Sequence, residues 1–191
     1  METERTEVDL IDGDVVKSFA RAAVLASLLG ASAYVAIPIG PVPITLQVLV
    51  VFLAGLYLGP YWGSVSVLLY LVAGAIGAPV FSGGTAGVGV LVGPTGGYLL
   101  GYAIAPLVIG LLVHDGHRIR DPATVSLGVV VAALVAATLL IYGLGAGWLA
   151  WVLELSATEA AAQGVIPFIP GELLKIAAAI GIVKSGRIDP T

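Results

Sequence analysis

Long apolar runs dominate the pattern of this chain, and six of them are candidate membrane spans. A transmembrane helix needs about 17–25 mostly apolar residues to cross roughly 30 Å of hydrocarbon. The runs are continuously apolar, whereas the strands of a membrane β-barrel alternate. The pattern therefore predicts an all-α integral membrane protein with six transmembrane helices in one domain over residues 17–191, at approximately 17–37, 44–59, 61–80, 94–113, 123–147 and 166–185.

Composition strengthens this prediction and excludes several classes of function. Of the 191 residues, 59% are apolar and 10% are charged, whereas soluble domains carry roughly 25% charged residues. The chain has no cysteine and two histidines, which argues against thiolate and histidine metal sites. Its net charge of −4 gives no basic surface for nucleic acid. An ordinary soluble enzyme is excluded, and no cofactor is expected.

The basic residues predict the orientation in the membrane. Cytoplasmic segments of membrane proteins collect lysine and arginine. Seven of the eight basic residues lie near the start of the first span, between the fourth and fifth spans, or near the end of the last: Arg5, Lys17, Arg21, Arg118, Arg120, Lys184 and Arg187. Both termini and the 114–121 loop are therefore predicted to be cytoplasmic. Six spans are consistent with this orientation, because an even number of crossings returns the chain to the side on which it began.

Segments outside the spans fit this orientation. Residues 1–16 carry six acidic side chains against one arginine and are expected to form a solvated, partly disordered cytoplasmic tail. Tyr61 and Trp62 would lie at the inner interface, and Trp148 and Trp151 at the outer one. The polar side chains of the 114–121 loop, His114 among them, are interpreted as solvated loop groups.

The eighth basic residue, Lys175, lies inside the sixth span, three residues after Glu172. This spacing places both side chains on one helix face. Charges at membrane depth are costly and by default mark a substrate or ion site. Two interpretations are open: a structural ion pair that locks helix packing, or a pair of ligand-binding groups just inside the outer face.

Two further polar clusters fall on the same predicted outer side. Prolines 38, 41 and 43 give a stiff loop, which Thr45 and Gln47 follow. Seven glycines in 82–97 let backbone approach a ligand or a helix closely, but the segment lacks both the dinucleotide and the Walker pattern. Together the clusters predict an outward-opening pocket with apolar walls and a few polar anchors: Glu172, Lys175, Gln47, Thr45, Ser82 and Tyr98. For Tyr98, an interfacial position and stacking against a ligand are both open.

The first predicted helix carries small residues at a spacing of four, Ala22, Ala26 and Gly30, and again one residue later at Ala23, Ser27 and Ala31. Such stripes let membrane helices approach closely. Internal packing and docking onto another membrane subunit both explain the pattern.

Several ordered motifs resemble the BioY family, the biotin-specific substrate-binding subunits (S components) of energy-coupling factor (ECF) transporters. The matching segments are 43–47, Tyr70-Leu71 with Gly74 and Gly77, 79–84, 93–98, and 167–172 with Lys175. The resemblance spans about residues 17–185. The resemblance implies the six-helix S-component fold and high-affinity biotin capture near the outer face. It also implies that Gly83 and Gly84 belong to the biotin site. It also implies assembly with a transmembrane coupling protein and two cytoplasmic ATPases, through the stripe Ala22, Ala26 and Gly30, in the plasma membrane.

One position departs from the family pattern. The family usually has Asp where this chain has Glu172. The carboxylate is retained, and it would accept the ureido N–H groups of biotin from a position shifted by the extra methylene.

Two other functions stay open beside biotin uptake: an S component for another small vitamin, and an autonomous secondary transporter of a carboxylate-bearing solute. Secondary transporters commonly contain internal repeats, and none is evident between 17–100 and 101–185. Catalysis is not expected, because neither histidine is placed for an intramembrane protease. Any ATP would be hydrolysed by the partner ATPases.

Overall fold

The computed structural model of the chain describes residues 13–116 and 118–186. Residues 1–12 of the predicted acidic tail, His117 and Arg187 lie outside the described residues. Seven α-helices account for most of the described chain: α1 (Gly13–Ser32), α2 (Gln47–Ala75), α3 (Val88–Val92), α4 (Gly96–Val113), α5 (Leu127–Leu153), α6 (Ala157–Gly164) and α7 (Ile169–Lys184). Short 3-10 turns occupy Ser82–Gly84 and Ile166–Phe168, and two short strands, β1 (Ala36–Ile37) and β2 (Ile44–Thr45), are the exception to the all-α prediction.

Five segments of the described chain are long and apolar enough to cross a membrane: Gly13–Ser32, Gln47–Ala75, Gly96–Val113, Leu127–Leu153 and Ala157–Lys184. The structure thus shows a helical protein with several candidate spans, and it does not confirm the predicted number of six. The difference arises in α2, which takes up both the second and the third predicted span.

Helix α2 is broken at Gly59, whose backbone adopts φ 72° and ψ −171°. Proline follows at position 60, where it lacks the N–H that would continue the helical ladder. A β-carbon placed on Gly63 would lie 2.7 Å from the carbonyl oxygen of Ala54, although residues nine apart in a straight helix are separated by about 13.5 Å. The two halves of α2 therefore fold back on each other as a tight hairpin.

The helices align so that the bundle has two distinct ends. At the start of α4, the indole nitrogen of Trp148 donates to the carbonyl oxygen of Gly93 at 3.0 Å. At the end of α4, Gly110 packs against Pro60 in the α2 turn. The pairs Tyr61–Trp62 and Trp148–Trp151, predicted for opposite interfaces, thus lie at opposite ends.

Lys17, Arg118, Arg120 and Lys184 lie at the α2-turn end, which we call the basic end. Lys184 donates to the carbonyl oxygens of Ala123 and Val125, both at 2.8 Å, and so joins the end of α7 to the chain after α4. The last turn of α1 reaches the opposite end, because the backbone N–H of Gly83 donates to the carbonyl oxygen of Ala33 at 3.2 Å. Lys17, near the start of α1, consequently faces the basic end.

His114 corrects one expectation, because it is a packed residue and not a solvated loop group. It is 5% exposed, and one ring nitrogen contacts the carbonyl oxygen of Gly55 at 3.2 Å while the other accepts the backbone N–H of Arg120 at 3.1 Å. Burial lowers the pKa of His114 because it disfavours the charged ring. The ion pair of Asp115 with Arg120, at 2.8 Å, is exposed as expected.

The chain between α5 and α7 also differs from the sequence prediction, in which the fifth span ends at 147 and the sixth begins at 166. Helix α5 continues to Leu153, and α6 begins after Ser156. The Ser156 hydroxyl accepts the backbone N–H of Glu159, while the Glu159 carboxylate accepts the backbone N–H of Ser156. This reciprocal capping box stabilises the first turn of α6. The spacing of three residues between Ser156 and Glu159 is typical of such a box.

We predict that Gly110→Ala destabilises the protein, because a β-carbon there would overlap the backbone of Pro60 in the α2 turn. Overpacking of this kind typically costs about 1–3 kcal/mol. Thermal unfolding in detergent measures the effect. Gly143→Ala is the matched control, since nothing lies within 4 Å of its added β-carbon, and equal stability of the two variants would contradict the tight packing.

Candidate functional site

The predicted proline-rich loop is the tip of a small hairpin at the end of the bundle opposite the basic end. Strands β1 and β2 pair antiparallel, with Ala36 opposite Thr45 and Ile37 opposite Ile44. The prolines lie in the connecting segment 38–43, where their missing N–H groups cost no ladder hydrogen bond. The hairpin carries Thr45 inward, where its side chain is buried.

Gln47 opens α2 and is held by three neighbours. Its side-chain nitrogen donates to the Tyr70 hydroxyl at 2.6 Å and to the carbonyl oxygen of Leu29 at 3.4 Å. The Thr45 hydroxyl donates to the Gln47 side-chain oxygen at 3.3 Å. The Gln47 amide therefore joins α1 to both halves of α2 and forms part of the wall beneath the hairpin.

The glycine-rich segment closes over the same region. Gly83 and Gly84 adopt φ of 69° and 77°, a conformation that glycine takes without strain, and they turn the chain so that Ser82 faces inward. The Ser82 hydroxyl oxygen is buried without a hydrogen-bond partner. Neither glycine lines a cavity described below, so their part is to shape the turn.

Two adjoining cavities lie between the hairpin, the glycine-rich segment and the helices. The outer cavity, of about 130 Å³, is lined among others by Thr45, Gln47, Phe81, Ser82, Thr85, Thr95, Tyr98 and Tyr102. The inner cavity, of about 20 Å³, is lined among others by Thr45, Tyr98, Tyr102, Tyr142, Phe168, Glu172 and Lys175. The predicted anchors Glu172, Lys175, Thr45, Gln47, Ser82 and Tyr98 are thus brought together around one small space. The inner cavity holds little more than one water.

The charged pair lies at the inner end of this space. Glu172 is 3% exposed and Lys175 is 7% exposed, and the lysine ammonium lies 3.2 Å from Oε2 of the carboxylate. The Tyr142 hydroxyl donates to the same oxygen at 3.0 Å. Oε1 of Glu172 is buried without a partner. Because buried polar atoms are nearly always hydrogen-bonded, Oε1 is an acceptor suited to a ligand donor.

Tyr98 lines both cavities, and at 5% exposure it is a wall residue and not an interfacial one. Its hydroxyl donates to the carbonyl oxygen of Gly164 at 2.8 Å, and its ring fills the space above Gly145. The absence of side chains at these glycines is what lets the ring lie between α4, α5 and α6. With its hydroxyl occupied, Tyr98 offers a ligand its ring.

Sequence reasoning missed several aromatic wall residues. Tyr102 is detectable, because it lies four residues after Tyr98 and shares its helix face. Tyr142 and Phe168 come from α5 and from the turn before α7. Phe168 falls within the 167–172 motif, but no local pattern identifies Tyr142, whose ring meets that of Phe168 at a centroid distance of 6.4 Å only in the folded bundle.

The small-residue stripe of α1, for which internal packing and docking were both open, lies largely inside the protein. Ala22 is 0% exposed, and a β-carbon on Gly30 would lie 3.1 Å from Val80, so this stripe packs largely inside the protein. Ala26 is half-buried. The neighbouring Ser27 and Ala31 are exposed and lie on the outer surface of α1.

Comparison with known proteins gives one consistent family. A sequence model of the BioY family matches residues 2–188. The probable biotin transporter BioY of Pyrococcus horikoshii is 38% identical over 88% of this chain and 94% of its own length. The biotin transporter BioY of Thermotoga maritima is 37% identical over 86% of this chain and 92% of its own length.

A solved structure shares the fold. The crystal structure of the S-component for biotin from an ECF-type ABC transporter superposes with a TM-score of 0.81. The alignment covers 93% of this chain and 94% of that protein, at 28% sequence identity. The likeness therefore extends over nearly the entire chain.

We predict that Lys175→Met destabilises the ligand-free protein by about 3–5 kcal/mol, because it leaves a buried carboxylate without its cation. The double variant Lys175→Met/Glu172→Gln recovers most of this loss. Denaturant or thermal unfolding in detergent measures both. Lys17→Met, at an exposed ion pair, serves as the control and costs at most about 1 kcal/mol. A double variant no more stable than Lys175→Met would refute the pairing.

Proposed function

The chain belongs to the BioY family, and we propose that it captures biotin and serves as the substrate-specific subunit of an ECF-type transporter. Two observations support this function: the family membership and the likeness to a biotin S-component over nearly the full chain. The observation that carries the proposal is the free Oε1 of Glu172 at the inner end of an otherwise largely apolar, aromatic-walled space.

The site suits a ligand that combines N–H donors, a polar oxygen and an apolar body. The ureido N–H groups of biotin would donate to Oε1 of Glu172. Lys175 neutralises the carboxylate, and its further N–H groups can bind the ureido oxygen or the ligand's own carboxylate. The rings of Tyr98 and Tyr102 would flank the bicyclic part of biotin, and the unpartnered Ser82 hydroxyl would bind a polar atom in the outer cavity.

The same proposal includes six membrane crossings in the plasma membrane. The two antiparallel halves of α2 account for two crossings, and α1, α4, α5 and the segment from α6 to α7 for the other four. The hairpin at Gly59 supports this count. The basic end would be cytoplasmic, with both termini and the 114–121 loop, because Lys17, Arg118, Arg120 and Lys184 belong to it.

Transport would require partners. A transmembrane coupling protein and two cytoplasmic ATPases would drive release of biotin, and ATP would be hydrolysed by the ATPases and not by this chain. Toppling of the subunit in the bilayer would carry the site from the outer face to the inner one. The exposed Ser27 and Ala31 on α1 provide a flat surface for the coupling protein, since small side chains allow close helix approach.

Titration of the detergent-purified chain with biotin tests the function. We expect saturable one-to-one binding, seen by calorimetry, that other vitamins do not compete away. Glu172→Ala and Lys175→Ala should each weaken binding by roughly 1–3 kcal/mol, because each leaves a buried partner unpaired. Folded protein that binds another vitamin instead would favour an S component of different specificity. Uptake into vesicles without any ATPase would favour a secondary transporter.

Co-expression with a coupling protein and its ATPases tests the docking surface. We expect Ser27→Leu/Ala31→Leu to abolish co-purification of the coupling protein while biotin binding is retained, because bulky side chains would separate the helices. Ala132→Leu, an exposed change on α5, is the matched control and should assemble normally. Assembly by the double variant would place docking elsewhere. Ala22→Leu is a poor test, because that residue is buried and the change would disturb the fold.

A further inference from the structure

Tyr142 contacts the charged pair from a different helix. It lies on α5, thirty residues before Glu172 in the chain, and its hydroxyl donates to Oε2 of that residue at 3.0 Å. Lys175, one helical turn further along α7, binds the same oxygen at 3.2 Å. Two donors thus converge on Oε2, and Oε1 has no partner.

This arrangement fixes the orientation of a side chain that is otherwise free to rotate. Glu has three side-chain torsions, and the last of them, which turns the carboxylate, is broad. A lysine on a flexible stem can follow either oxygen, so Lys175 alone would not decide which one faces the cavity. The tyrosine ring is rigid, and its hydroxyl reaches only the oxygen that lies towards α5.

We propose that Tyr142 is a positioning residue for substrate binding: it holds Oε2 of Glu172 so that Oε1 is kept free for an N–H donor of the ligand. This inference rests on the proposed function for the identity of that ligand. Phe168 packs beside Tyr142, with ring centroids 6.4 Å apart, and both rings line the inner cavity. The tyrosine is therefore held by its neighbours while its hydroxyl orients the carboxylate.

The first experiment examines the ligand-free protein. Infrared spectra of wild type and Tyr142→Phe are subtracted, and we expect a shift of a carboxylate stretching band because one hydrogen bond to the carboxylate is lost. The same subtraction in a Glu172→Gln background should show no such band, which assigns it to Glu172. If Tyr142→Phe leaves the carboxylate bands unchanged, Tyr142 does not hold Glu172 and the inference is overturned.

The second experiment measures binding of biotin and of an analogue with methylene groups in place of both ureido N–H groups. For biotin, Tyr142→Phe should weaken binding roughly 10- to 100-fold, the range for a hydrogen bond to a charged group. For the analogue, wild type and Tyr142→Phe should bind alike, because no donor uses Oε1. A purely structural role would weaken both ligands equally, and that result would refute the positioning role.

Tyr57→Phe is the matched control. The Tyr57 hydroxyl is also buried but has no hydrogen-bond partner, and the residue lines neither cavity, so biotin affinity should not change. Wild-type protein that is folded yet fails to bind biotin would overturn the proposed function. The infrared comparison would in that case still decide whether Tyr142 orients Glu172, because it requires no ligand.

Discussion

A carboxylate and an ammonium group lie 3.2 Å apart inside a bundle of almost entirely apolar helices, and the surrounding structure is organised by the need to keep them there. Removing two charges from water is costly. Their mutual attraction offsets this cost only when the geometry is good and the other hydrogen-bonding positions of both groups are filled. The Tyr142 hydroxyl donates a hydrogen bond to one oxygen of this carboxylate. Oε1 has no partner and Glu172 lines the inner cavity, so the pair combines a structural interaction with an acceptor that no protein group uses.

The walls around this pair depend on close helix approach, and α4 is central to it. Gly97 and Gly101 let α5 pack closely against α4, and Gly110 admits the α2 turn at the opposite end. The same absence of side chains at Gly145 and Gly164 makes room for the ring of Tyr98. Glycine packing at the centre thus determines how far the aromatic walls stand from one another, and with it the size of both cavities.

Much of the candidate site could be predicted from the chain. Glu172 and Lys175 stand out because charges are rare in apolar spans, and their spacing of three places them on one face. Thr45, Ser82 and Tyr98 lie at or near the ends of predicted spans. Because successive spans cross the membrane in opposite directions, these three residues are predicted at the same end of the bundle as the pair. The exposed face of α1 could not be predicted, because small residues recur on adjacent faces of that helix and periodicity does not distinguish them. The stripe with Ala22 and Gly30 proved to be the largely buried one.

The sequence by itself determined that the chain forms apolar helices, where prolines and glycines interrupt them, and which family it resembles, since each of these depends on local composition and motif order. Only the tertiary structure decided that Gly63 packs against Ala54 across the Gly59 turn, that His114 is packed against α2, and that Tyr142 reaches Glu172. The physical reason is helix rotation. A helix such as α5 is apolar on all sides, so its sequence carries no strong signal for which face turns inward, and contacts between distant helices are fixed only when the whole bundle packs.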